Sequence, residues 1–316
     1  MIKVHSLIRS NLPLRENLEI AGTPWSLATN SEKVLRGLHR WKAPDRKRQS
    51  FSLRVLVDER MPRAEATPIY RGMDHVVFAT FGSEFFGFDL LRKEITAVVS
   101  SHIASDERFW NRVILPIAIG VMGCFLGVVP LHSACLEWNG IGVLIAGVSG
   151  AGKSTLAAAL ASAGFAFLSD DWTYLSEQEG QLIACALGVP FKLLPDAARF
   201  FGGLPDHQVT GWMNGEIAYE VDPVHFATRS IATAVPRHLF MVERRSFGRS
   251  EFHKIAPDVV RDFFEQSSEP FPDALKHGGE FRSAILDRVA GLECWRFSYS
   301  GSPHDAAACI RNFIEQ

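Results

Sequence analysis

The sequence predicts an α/β chain of two domains, with a phosphate-loop domain behind a smaller N-terminal one. Three observations predict this. A length of 316 residues is long for one domain and ordinary for two. Short β-patterned runs alternate with helical ones through the later part of the chain. A glycine-rich loop separates an apolar run from an alanine-rich helical segment, the order strand, loop, helix. The boundary is expected near residue 105. Residues 1–105 then form a mixed or β-rich N-terminal domain, and 106–316 the phosphate-loop domain.

Composition narrows the partners. Hydrophobic residues make up 47% and charged residues 22%, which excludes a disordered or fibrous chain. The net charge of −2 gives no basic excess for a polyanion, so no nucleic-acid partner is expected. Five cysteines (Cys124, Cys135, Cys185, Cys294 and Cys309) are odd in number and form no C-x-x-C pair. They read as free thiols in a reducing compartment, not as a disulfide framework or zinc site. The N-terminal thirty residues contain no apolar signal core, and the expected localisation is cytoplasmic. Val113 to Leu131 carries no charge and approaches bilayer length. Pro116 and several glycines interrupt it, and its end runs straight into His132. We therefore expect a core helix packed under the phosphate-loop sheet, and no membrane partner.

The N-terminal part is the least informative. Segment 35–64 collects Arg36, Arg40, Lys42, Arg46, Lys47, Arg48, Arg54 and Arg60. It reads first as solvated surface and loop; the sharper reading is a docking face for an acidic peptide. Between Asp74 and Val99, runs such as VVFATF and FFGFDLL predict strands and turns. From residue 131, LHSACLEW, then Asn139-Gly140, then IGVLIAG predicts strand, tight turn, strand. Lys153 to Ala163 is helical by its alanines, with Gly164 as the stop. Phe165 to Leu168 is a short strand ending in Ser169-Asp170-Asp171. Further strands are expected at 181–187, 189–194, 237–243, 251–255 and 292–299. Helices are expected at 257–267 and 281–290. A final helix is capped by Ser302-Pro303.

The strongest motif is Gly147-Val148-Ser149-Gly150-Ala151-Gly152-Lys153-Ser154, which fits G-x-x-x-x-G-K-[ST]. Glycines let backbone N–H groups curl round phosphate oxygens without a Cβ in the way. The following helix turns its positive end to the same anion. Lys153 is the point charge for the β/γ oxygens, and the Ser154 hydroxyl is a Mg²⁺ ligand. Thr155 completes the segment without a separate role. ATP and Mg²⁺ are the expected cofactors. Asp170 and Asp171 end the next strand, on the side where such a sheet binds its ligand. One carboxylate suits the metal; the other suits the proton of an attacking hydroxyl. His132 is placed on the strand that the Asn139-Gly140 turn pairs with the strand feeding the loop. Lys192, Arg199, Arg244 and Arg245 are candidate cations for the transferred phosphate. Glu243 is a candidate second acid near the metal.

The stretch LHSACLEWNGIGVLIAGVSGAGKSTLAAALASAGFAFLSDDW resembles the catalytic core of HPr kinase/phosphorylase and its relatives. There a Leu-His pair leads into a strand, a hairpin, a GxSGxGKS loop, a helix and an Asp-Asp pair. The resemblance implies an α/β P-loop kinase domain of the HPr kinase and phosphoenolpyruvate-carboxykinase-like type. It implies Asp170 as catalytic base, Asp171 on the metal side and His132 near the transferred phosphate, beside the Lys153 and Ser154 roles read from the loop motif. Two departures qualify it. Val148 stands where HPr kinase usually has Asp. The glycine-rich signature tied to the carrier-protein substrate is replaced by ACALGVPFKLLPDAARFFGGLPD. HPr is therefore not the expected acceptor, and the nearer likeness is to HPr-kinase-related serine kinases of the lasso-peptide-kinase type.

These readings converge on an ATP-dependent kinase that phosphorylates a serine hydroxyl of a peptide or protein. Two alternatives stay open: a nucleotide-regulated ATPase or binding protein, and a small-molecule kinase of the same fold. A homo-oligomer is compatible with all three.

Overall fold

The computed structural model describes residues 12–44, 51–62, 69–73, 75–204, 208–210, 217–266 and 278–316. Among the described residues the fold is mixed α/β with four sheets. The chain divides into two compact units, Met1–Val128 with Pro270–Phe281, and Val129–Glu269 with Arg282–Gln316. The division thus falls later than the expected boundary near 105, because the apolar helical segment belongs to the first unit.

The first unit holds strands β1 (Leu14–Ile20), β2 (Thr23–Thr29), β3 (Ser52–Asp58), β4 (Ile69–Met73), β5 (Val76–Phe81), β6 (Glu84–Asp89) and β7 (Glu94–Ser100). They form one sheet in the order β1-β2-β3-β7-β6-β5-β4. Alternation drives it: in β5 and β6 every second side chain is buried, the pattern of a strand with one face on a core. The basic segment is partly tied down. Lys42 pairs with Glu16 at 3.0 Å, Arg54 with Glu94 at 3.0 Å and Arg40 with Glu107 at 3.9 Å. Arg46, Lys47 and Arg48 lie outside the described residues.

The apolar segment is a helix over Glu107–Leu126, long and apolar enough to cross a membrane by length and composition alone. It buries Leu115, Ala118, Ile119, Val121 and Met122 and packs near β6. Gly127, at φ 77°, stops it with a left-handed cap. The helix ends at Leu126, short of the expected Leu131, because Gly127 caps it; it belongs to the first unit, and strand follows from Val129.

The second unit begins with β8 (Val129–His132), β9 (Ala134–Trp138), β10 (Ile141–Ala146), β11 (Ala166–Ser169), β12 (Trp172–Gln178) and β13 (Gln181–Cys185). β14 (Phe191–Leu193), β15 (Gln208–Thr210), β16 (Ile217–Val221), β17 (Thr233–Ala234), β18 (Pro236–Arg244), β19 (Glu251–Lys254) and β20 (Glu293–Tyr299) complete it. The central sheet runs β11-β9-β10-β18-β20-β19; beside it stand β17-β13-β12-β8 and β14-β16-β15. Asn139 (φ 50°) and Gly140 (φ 81°) make the tight turn that pairs Trp138 with Ile141, as the dipeptide predicts.

The expected single strand through His132 is two strands. Ser133 donates its N–H to the Leu131 carbonyl at 2.8 Å, a turn too tight for one sheet to continue. β9 stays with β10, while β8 leaves for β12, where His132 is paired with Trp172. His132 is therefore on a neighbouring sheet, not on the strand paired with the loop strand.

The core of this unit surrounds the helix Lys153–Ser162. Leu156 to Ala161 are all 1% exposed or less, so this helix has no solvent face over that stretch. Four of the six are alanine, which lets the sheet and the helix Pro303–Ile314 close in on it. Phe167, Phe191, Phe240 and Phe297 fill the wider spaces. Ser302 caps the last helix from the Asp305 N–H, and Pro303 opens it. None of the five cysteines is in a disulfide.

Candidate functional site

The central sheet decides where the site lies. β9 is antiparallel to both β10 and β11. The end of β10, the end of β11 and the start of β9 therefore share one edge. That edge carries Gly147–Lys153 after β10, Asp170-Asp171 after β11 and His132-Ser133 before β9.

The loop is shaped by its glycines. A Cβ on Gly147 would stand 2.9 Å from the Val242 carbonyl oxygen, which is backbone and cannot step aside. Gly150 (φ 79°) and Gly152 (φ 86°) are left-handed, and Gly152 is the N-cap of the loop helix. Val148 is 69% exposed at the loop's crown. The Lys153 side chain is buried; its Nζ donates to the Gly147 carbonyl at 3.0 Å and the Val148 carbonyl at 3.4 Å. Burial draws the Lys153 ammonium below the usual lysine range, while the charge of Asp171 opposes that shift. Ser154 Oγ is 3.5 Å from the Asp170 backbone carbonyl, and Thr155 follows half-buried on the helix.

The two aspartates have different surroundings. Asp170 is 1% exposed, and its Oδ2 accepts the Lys192 backbone N–H at 2.7 Å. Asp171 is more open, and its Oδ1 lies 3.1 Å from His132 Nε2. The His132 ring stacks on Trp172, with centroids 5.3 Å apart and planes 23° apart. A hydroxyl relay fixes the turn between these groups. Thr173 Oγ1 donates to the Ser133 carbonyl at 2.8 Å and meets Ser169 Oγ at 2.7 Å. An acidic residue in a dry backbone clasp, beside one that reaches open ground with an imidazole, is suited to two separate tasks.

The other candidates fall apart into distinct settings. Glu243 accepts from Ser298 Oγ at 3.0 Å and stands 3.5 Å from Arg245 Nη2. Arg245 is also 3.4 Å from Glu251, so it serves an ion-pair cluster at the end of β18. Lys192 acts on the site through its backbone. Arg199 stands 4.7 Å over the Phe200 ring and Arg244 5.5 Å over the same ring. Sequence reasoning missed Trp172, the Lys192 amide and Tyr299. The Tyr299 hydroxyl lies 3.2 Å from where a Gly152 Cβ would stand. Only Trp172 had a visible signal, as an aromatic directly after the Asp pair.

Among the described residues no three His, Cys, Asp or Glu side chains gather as a metal cage. Mg²⁺ rarely uses one: it keeps waters and phosphate oxygens and takes one or two protein ligands. The Ser154 hydroxyl and the open Asp171 carboxylate fit that modest demand.

Residues 126–193 match the family described as HPr Serine kinase C-terminal domain. This stretch contains His132, the whole phosphate loop, the Asp pair and Lys192. No curated protein matches the chain. Among solved structures it is similar to the Hpr(Ser) kinase/phosphatase from Coxiella burnetii. That likeness has a TM-score of 0.30 at 14% identity and covers 59% of this chain and 94% of that one. At that level it carries no functional argument. The family likeness therefore rests on residues 126–193 and is a likeness of that segment to the HPr Serine kinase C-terminal domain.

Proposed function

We propose that this protein is an ATP-dependent kinase that transfers the γ-phosphoryl group to a serine hydroxyl of a peptide or protein. The observation that carries the reading is the meeting of the phosphate loop, the Asp pair and His132 at one sheet edge, inside the segment that matches the HPr kinase family. The loop amides and the positive end of the helix Lys153–Ser162 hold the β- and γ-phosphates. Lys153 trades its loop carbonyls for phosphate oxygens. Ser154 and Asp171 would hold Mg²⁺, which offsets charge on the phosphates. Asp170, clasped by the Lys192 amide, takes the serine proton as the new P–O bond forms. The bond between the γ-phosphorus and its bridging oxygen breaks, and ADP leaves. His132, stacked on Trp172, holds Asp171 toward the metal side and lies near the transferred group.

The acceptor is a peptide or protein other than HPr, because the signature tied to that carrier is absent from 184–206. A cytoplasmic setting with a homo-oligomeric enzyme fits the free thiols and the family likeness. The test incubates the full chain with Mg-ATP and serine-bearing peptide precursors encoded beside it. Phosphoserine on the peptide supports the reading. ATP hydrolysis with no phosphorylated acceptor across the panel would replace it with a nucleotide-regulated ATPase.

A further inference from the structure

Arg244 and Arg245 are neighbours in sequence, yet the structure gives them different work. Arg245 is committed to Glu243 and Glu251, and its backbone N–H bonds the Tyr299 carbonyl at 2.7 Å. Arg244 meets no carboxylate at ion-pair distance among the described residues. Its guanidinium instead rests on the ring of Phe200, the last residue of the short helix Pro195–Phe200.

The sheet fixes which way Arg244 faces. Residues two apart on a strand share a face, and so do partners in register on adjacent strands. Arg244 therefore shares a face with Val242, and with Tyr299, its partner on β20. A Val242 methyl lies 3.3 Å from the Cβ position of Gly147, and the Tyr299 hydroxyl 3.2 Å from that of Gly152. Both ends of the phosphate loop thus touch the face from which Arg244 projects. β18 runs parallel to the loop strand, with Met241 beside Ala146, so Arg244 emerges at the loop's edge of the sheet.

The chemistry asks for such a group. In phosphoryl transfer, charge spreads over the γ-phosphate oxygens, and Lys153 is a single buried cation at the root of the loop. A guanidinium offers a planar fork that binds phosphate oxygens two at a time. Its contact with the Phe200 face limits its rotamers beforehand and leaves its N–H edges open. We propose that Arg244 is the second cation of the nucleotide site, a ligand of the terminal phosphate of a nucleoside triphosphate, with Phe200 as its platform. This inference rests on the kinase reading above.

The test is calorimetric titration of the full chain with a non-hydrolysable Mg-ATP analogue and with Mg-ADP. Arg244→Ala should weaken the triphosphate roughly ten- to hundredfold, the usual worth of a charged hydrogen bond, and leave the diphosphate unchanged. Arg244→Lys should recover only part of the loss, because an ammonium is a point charge. Phe200→Leu should weaken the triphosphate roughly two- to fivefold, as loss of an exposed cation–π contact implies. Arg245→Ala should leave the ratio of the two affinities at the wild-type value. Arg244 is exposed, so its variants should fold, which thermal melts check. An unchanged affinity ratio in Arg244→Ala, with the wild type binding normally, overturns this assignment and leaves the kinase reading standing. A wild-type chain that binds no triphosphate overturns the kinase reading itself.

Discussion

Replacing Asp170 by asparagine separates the clasp its carboxylate makes from the proton transfer proposed for it. Asp170 Oδ2 accepts the Lys192 N–H at 2.7 Å, and the aspartate backbone carbonyl lies 3.5 Å from Ser154 Oγ. Asparagine keeps a carbonyl oxygen for the Lys192 amide and keeps the backbone, so the loop and β14 stay in place. What it loses is the capacity to take a proton. General-base loss costs about 10²–10⁴-fold in rate, which is about 2.7–5.4 kcal/mol in transition-state stabilisation. Asp170→Ala removes the clasp as well. It leaves a part-buried N–H without its acceptor, at a cost of about 1–3 kcal/mol in stability. The assay pairs single-turnover phosphotransfer with thermal unfolding and Mg-ATP titration. Asp170→Asn should bind Mg-ATP and melt like the wild type while transfer falls by the factor above. Asp170→Ala should lose both transfer and melting temperature. An asparagine variant that transfers phosphate at the wild-type rate refutes the assignment of the base.

Lys153→Ala should weaken Mg-ATP binding roughly ten- to hundredfold by calorimetry, because the loop loses its only buried cation; equal affinity would remove the ammonium from the phosphate site. Burial raises the Glu84 carboxyl above the ordinary range, although the Ser100 N–H bonds its Oε2 at 2.7 Å. The folded state then holds its proton longer than the unfolded chain, so this contribution to stability is full below the unfolded value of 4.5 and is lost as pH rises through the folded one. Urea unfolding of Glu84→Gln should show that decline removed; an unaltered pH dependence would contradict it. Burial pushes the Cys294 thiol up to about 11 and Cys135 further, so both should resist alkylation at neutral pH in the folded protein and react after unfolding. Rapid labelling of either in the native state would contradict their burial.

The parts of this fold that are legible in sequence are those with local causes. The phosphate loop, the Asn139-Gly140 turn and the Ser302-Pro303 cap each follow from what one or two residue types permit in their own backbone. The parts that are not legible depend on distant partners. Nothing in LHSACLEW marks Ser133 as the point where the chain changes sheets, because either side of it is good strand sequence. The change is set by β12 claiming β8, and by Thr173 reaching across to the Ser133 carbonyl. The clasp on Asp170 comes from a backbone amide at Lys192, a donor that every non-proline residue carries and that no motif displays. Gly127 did offer a stop for the apolar helix, and Pro130 argued against its continuation. The apolar run past both obscured that signal. Arg244 and Arg245 look alike until the acids around Arg245 and the ring under Arg244 are seen.

Serine phosphorylation by this protein is tested by the ratio of phosphoserine formed to ATP consumed. It is read by intact mass and fragment ions on a peptide acceptor, with Asp170→Asn run in parallel. One phosphate on serine is expected for each ATP spent during acceptor turnover, with little of either in the asparagine variant. ATP consumed at the same rate with and without acceptor, and no phosphate on any serine, would contradict it.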